Sequence, residues 1–437
     1  MEDKLVENYL NKKFFKAWKN RLFKTEKSTK FANYTKLELM TNSHCNLKCK
    51  YCYYTKFGKQ LYPAAIAKPK LVMKNLNILL DWLALNEYYP DIDLFSGELF
   101  SQEIGFKTTE RVIDWNIEHN TGATIGIPTN FTFIESESKT ARVEALLNKA
   151  REGNVRTYLS ASIDGKIVED ANRPRKDGTL RTDEYYDKVF AFCKKWNFNV
   201  HPMTYSNLIE KQTENFKWFQ SMFEKHGIPW YHYYMLEVRN VEWSKEQLNE
   251  FYKHIRFLVR FIWEKSGVEP QDFPRWQHES KQSMNVFSTT FGKVGRGTGC
   301  SVQSTIQMRL GDLTHLTCHR AGYDQHKLWR FRTENNKITG IEGLNPGLMM
   351  AWASADSKEF PYCEGCFLKN MCGGQCWGAC FEVNNDLFIP IPTVCALRHI
   401  KVKAILDEIK ELGLWQFFYD RSHVKGELKE YYDHFKK

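Results

Sequence analysis

Between residues 36 and 236 the chain carries six short runs of apolar and β-branched residues, at 36–40, 92–96, 123–128, 157–163, 199–204 and 230–236. Successive runs are separated by about 30–50 residues, far more than a hairpin needs and enough for a helix between each pair. Helical periodicity fills two of the gaps, at 72–85 and 142–151. Alternation of this kind predicts βα units and a parallel sheet. Barrels of parallel strands gather their chemistry at the C-terminal strand ends, so the residues just after each run matter most.

The first run is followed by Cys45, Cys49 and Cys52 in TNSHCNLKCKYCYY, spaced x3 and then x2. One loop can converge three such thiolates. That suits an iron–sulfur cube, which is held by cysteine sulfur and wants four ligands, so three leave one iron open. A zinc loop and a disulfide are the alternatives. Zinc favours paired CxxC units, and the early chain offers no second pair. The N-terminal stretch MEDKLVENYLNKKFFKAWK is charged throughout and is not a secretory signal. A cytoplasmic protein is therefore expected, and disulfides are rare there. No run of eighteen apolar residues exists, so no membrane span is expected.

Eleven of the twelve cysteines lie in two zones, 45–52 and 300–395. Such clustering reads as metal ligation; Cys193, alone in DKVFAFCKKW, reads as a core residue. At 437 residues with 42% apolar content the chain can build two or more domains. The net charge of +10 (62 basic, 52 acidic) is spread along the chain, as on a lysine-rich surface. Nucleic acid is the alternative partner, although such sites usually show clustered basic residues.

CX3CX2C with an aromatic, Tyr51, before the last cysteine resembles the signature of the radical S-adenosylmethionine (SAM) enzymes. The resemblance implies that the open iron of a 4Fe–4S cluster chelates SAM. Cleavage of SAM then yields a 5′-deoxyadenosyl radical that abstracts a substrate hydrogen. Later strand ends carry further matches. Ser96-Gly97-Glu98-Leu99 resembles the family's GGEP motif, with Ser96 and Leu99 departing from it; Glu98 and its neighbours would bind the SAM amino group. Pro128-Thr129-Asn130 resembles a TNG turn, with Phe131 in place of glycine. Ser162, Asp164 and Gly165, followed by Asn172-Arg173, resemble a segment of sulfatase-maturase-like and peptide-modifying members. By that resemblance Tyr51, Ser96, Gly97, Glu98, Asn130, Ser162 and Asp164 form the SAM site.

The second zone contains CX2CX5CX3C from Cys363 to Cys376, preceded by Cys300 and Cys318 and followed by Cys380 and Cys395. It resembles the SPASM extension of radical SAM enzymes, which implies two auxiliary clusters. The family's interleaved pattern assigns Cys363, Cys366, Cys372 and Cys395 to the distal one. Cys300, Cys318 and Cys376 go to the proximal one, with either Cys380 or an open iron completing it. His319, beside Cys318, is the candidate for a ligand or proton carrier.

The expected fold is thus α/β. An N-terminal helical extension (1–34) precedes a partial (β/α)6 barrel (35–240) and a connection (241–299); a SPASM-like domain (300–396) and C-terminal helices (397–437) follow. The implied cofactors are SAM and 4Fe–4S clusters, one radical-generating and two auxiliary. The implied function is oxidation or crosslinking of a residue in a ribosomal peptide or protein, with a flavodoxin or ferredoxin as electron donor. A small metabolite or modified nucleotide as substrate and a non-catalytic electron carrier are the alternatives.

Overall fold

A computed structural model describes residues 36–95, 97–279, 281–287, 305–421 and 429. The expected N-terminal helix, Ser96, Cys300 and most of the tail beyond 421 lie outside the described residues. Among the described residues the chain divides into two compact units. One comprises 36–48, 52–160 and 305–354; the other comprises 49–51, 161–287 and 355 onward.

The first unit is built on β1 (Lys36–Met40), β2 (Asp91–Phe95), β3 (Thr124–Thr129) and β4 (Arg156–Ala161, whose last residue counts with the second unit). Helices Pro69–Leu85, Glu103–Glu118 and Glu137–Glu152 connect them. The expected helices at 72–85 and 142–151 are thus each extended toward the N-terminus. Pro69 supplies the first turn, where its missing N–H costs nothing. The Ser136 hydroxyl caps the third helix by accepting from the Lys139 amide.

Sequence periodicity does not reveal the strands that follow. β8 (Thr305–Arg309), β9 (Thr314–Leu316), β10 (Lys327–Glu334) and β11 (Lys337–Gly343) form an antiparallel meander, and β8 runs parallel to β1. The order is β11-β10-β9-β8-β1-β2-β3-β4. Leu37, Leu39, Ile92, Leu94, Ile125, Ile127 and Leu159 are fully buried on one face. The alternate positions carry Lys36, Glu38, Asp93, Phe95 and Ser160. A parallel sheet covered on both faces by apolar layers would read as continuous hydrophobic runs. This one keeps a polar face.

In the second unit the chain continues through β5 (Asn199–Val200), β6 (Met203–Thr204) and β7 (Leu236–Glu237). The run expected as one strand over 199–204 is divided at His201-Pro202, because proline has no N–H to donate to a ladder. The run at 230–236 contributes only a bridge from Tyr233 to Val200 and the short β7, which pairs with β6. Cys193 is buried in helix Asp183–Trp196, as expected of a core residue.

Helix Lys245–Ser266 starts in a capping box made by Ser244 and Gln247 and packs along helix Pro392–Glu411. Arg256 and Arg260 clamp Glu408 across that contact, at 2.7 and 2.5 Å. None of the described helices is long and apolar enough to cross a membrane.

Candidate functional site

The cysteine loop leaves the end of β1, as the strand–loop pattern predicts. Its backbone is held by the stretch after β2: Gly97 N donates to Asn42 O at 3.2 Å and Glu98 N to His44 O at 2.7 Å. A Cβ on Gly97 would lie 2.3 Å from His44 O and 2.7 Å from Ser43 O. Glycine is therefore required here by the cysteine loop itself. Gly97→Ala should destabilise the protein by about 1–3 kcal/mol, the usual cost of overpacking, measured as a lower urea midpoint. An unchanged midpoint would show that the loop yields freely.

Glu98 is 2% exposed and its carboxylate ties two strand ends together. It accepts from Thr129 Oγ1 at 2.8 Å, Asn130 N at 2.6 Å and Phe100 N at 3.2 Å. Asn130 in turn reaches the cysteine loop: its Nδ2 donates to Asn46 Oδ1 at 3.0 Å and lies 3.8 Å from Cys45 Sγ. Leu47 N donates to the same sulfur at 3.4 Å. Phe131, in the place of the usual glycine, is buried and left-handed at φ 61°. That conformation costs a side-chain-bearing residue about 1–2 kcal/mol, and the buried ring packs on Phe133.

The other motif residues meet in the second unit. The Tyr51 hydroxyl faces both oxygens of Asp164, at 2.9 and 3.0 Å, and Met203 N donates to Oδ1 at 3.1 Å. Arg173 lies 3.7 Å from the same oxygen and 3.3 Å from Glu169. Burial pushes the Asp164 carboxyl up to about 7, against the Arg173 guanidinium and those hydrogen bonds, which favour its ionised form. Lys50 N donates to Asn172 O at 2.9 Å. Ser162 is half-buried just after β4.

His319 has partners that local sequence did not indicate. Register places Glu38 of β1 opposite Gln307 of β8, so two acceptors stand side by side. Nδ1 of His319 lies 2.9 Å from Glu38 Oε2 and 3.1 Å from Gln307 Oε1. That Gln307 atom also accepts from the His319 amide at 3.2 Å, which identifies it as the oxygen. Nδ1 therefore carries a proton, and in the neutral ring Nε2 presents the lone pair. Phe95 stacks on the imidazole at 4.3 Å and Tyr53 flanks it at 5.6 Å. An acid alone among leucines, in Leu37-Glu38-Leu39, was the available signal.

None of the eleven described cysteines forms a disulfide. In the second unit burial comes first in pushing up the Cys363, Cys366 and Cys395 thiols, and the neighbouring thiols push them further. Thiols raised in this way would be neutralised together on binding cationic iron. Among the described residues no three potential ligands surround a single-ion position. A cube spreads its thiolates more widely than one ion does. The donor set of sulfurs, with N–H groups aimed at Cys45 and, from Arg320 N at 3.4 Å, at Cys318, fits thiolate-bound clusters.

A parallel sheet with cysteines at the end of its first strand and a cysteine-rich C-terminal region is the fold of the radical SAM enzymes with a SPASM-type extension. Among solved structures the chain is similar to anSMEcpe, an anaerobic sulfatase-maturating enzyme with bound AdoMet. The TM-score is 0.56 at 17% identity, over 89% of this chain and 99% of that one. It is also similar to Streptococcus suis SuiB bound to precursor peptide SuiA, with a TM-score of 0.50 at 14% identity, over 83% of this chain and 76% of that one. No protein-family model matches the chain, and no curated protein sequence matches it.

Proposed function

We propose that this chain is a radical SAM maturase that oxidises or crosslinks a residue of a ribosomal peptide or protein. The observation that carries the reading is the cysteine loop after β1, braced by Gly97, Glu98 and Asn130 from the next two strand ends. When bound, a 4Fe–4S cluster on Cys45, Cys49 and Cys52 supplies the electron that cleaves SAM to the 5′-deoxyadenosyl radical. Asn130 and Leu47 N–H groups stabilise the Cys45 thiolate. Glu98 keeps the strand ends in register beneath the loop. In the second unit, Tyr51, Ser162 and Asp164 are assigned to SAM binding in this reading. His319, its Nδ1 proton directed at Glu38 and Gln307, offers Nε2 to a substrate proton.

The similarity to SuiB, whose structure holds a precursor peptide, supports a peptide substrate. The test is anaerobic reconstitution with iron, sulfide and a strong reductant. Release of 5′-deoxyadenosine from SAM is expected, with a modified peptide detectable by mass spectrometry once its precursor is supplied. No release from protein with an intact cluster would falsify the radical chemistry.

A further inference from the structure

Gln375 occupies an unusual position. It is the third of three consecutive residues with positive φ, after Gly373 (66°) and Gly374 (73°), and its own φ is 70°. A glutamine held there bears a strain that glycine avoids. Its side chain is 4% exposed and uses both ends of the amide. Nε2 donates to Ile391 O at 3.0 Å, and Oε1 accepts from Ile391 N at 2.9 Å. Those two backbone groups can act only as acceptor and donor respectively, so the amide cannot be flipped.

The remaining faces of the amide meet two cysteines. The nitrogen stands 2.8 Å from Cys395 Sγ, and the oxygen stands 3.9 Å from Cys380 Sγ. Cys395 must therefore accept, and Cys380 must donate its S–H. Burial differs in the same sense. Cys380 is 1% exposed within an apolar cluster of Ala379, Ile391 and Val394, whereas Cys395 is half-buried at the start of its helix.

We propose that Gln375 sorts these two cysteines, holding Cys395 as an iron ligand through an N–H···S bond and keeping Cys380 out of any cluster as its hydrogen-bond donor. The inference rests on the reading above that the second unit carries a cluster. Hydrogen bonds to cluster sulfurs raise the reduction potential by stabilising the more anionic reduced state, so Gln375 is a positioning residue with a redox signature.

The experiment uses the reconstituted full chain and three variants. Cys380→Ala is expected to keep wild-type iron content and the wild-type auxiliary EPR signals, whereas Cys395→Ala loses about four iron atoms, one cube. Gln375→Met, which keeps the length but lacks the donor, is expected to keep its iron and shift the auxiliary midpoint potential to a more negative value. Loss of a cube from Cys380→Ala, or an unmoved potential in Gln375→Met, would overturn the assignment. Should Gln375→Met fail to hold iron, Cys380→Ala decides alone, retained iron supporting the proposal and lost iron refuting it. Absence of any auxiliary signal in the wild type would overturn the underlying reading as well, and so separates the two failures.

Discussion

Replacing Cys45, Cys49 and Cys52 together by alanine should abolish 5′-deoxyadenosine release while leaving the iron of the second cysteine zone in place. These three are the thiols within reach of one loop after β1, and Asn130 and Leu47 direct N–H groups at one of them. The alanine variant keeps the hydrogen bonds from Gly97 and Glu98, because those run to backbone oxygens of residues 42 and 44. The fold around the loop should therefore survive. Iron content is expected to fall from about twelve atoms to about eight, at four per cube. A drop to zero would mean that the second zone does not bind iron independently. Residual SAM cleavage would move the radical chemistry away from this loop.

Glu237→Ala should be the most damaging single substitution away from the cysteines. Glu237 and Lys401 form a 2.5 Å ion pair with side chains 2% and 1% exposed, and Arg239 reaches the same carboxylate at 3.2 Å. Removing the acid leaves Lys401 charged and buried among Arg239 and Arg398, whose positive charges already oppose it. Breaking a buried pair from one side costs about 3–5 kcal/mol, a large share of a typical net stability of about 5–15 kcal/mol. Glu237→Gln, which keeps the shape and hydrogen-bonding capacity, should lose less.

The pH dependence of the difference has a definite sign. Burial pushes the Glu237 carboxyl up, but Lys401, Arg239 and Arg398 outweigh it and hold the group well below the ordinary carboxylate range. Its contribution is therefore full above the unfolded value of about 4.3 and declines as pH falls below that. Urea midpoints of wild type and Glu237→Ala should be far apart at pH 7 and converge below about pH 4. A gap independent of pH would assign the loss to packing instead of charge.

The parts of the site legible in the sequence are those joined by short covalent spacing. Cys45, Cys49 and Cys52 lie within one loop, and Gly97, Glu98 and Asn130 each follow an apolar run of recognisable length. Cys45, Gly97, Glu98 and Asn130 assemble in the first unit as that order implies. Tyr51 and Asp164, far apart in sequence, meet in the second. The 199–204 and 230–236 runs were harder to read, because a two-residue strand leaves almost no periodic signal. The meander at 305–343 is not legible in the sequence for a related reason. Its polar and apolar residues serve a sheet face that no local pattern identifies.

By itself the sequence determined the alternating strand–helix plan, the place of the cysteines at the end of the first strand and their reading as metal ligands. Only the tertiary structure decided that β8 lies beside β1. That pairing sets Glu38 against Gln307 and directs the Nδ1 proton of His319. It also decided that Ile391 orients Gln375 between Cys380 and Cys395. In both cases the deciding partners are remote in sequence, and a donor or acceptor acquires its role only when a distant backbone or side chain faces it within hydrogen-bonding distance.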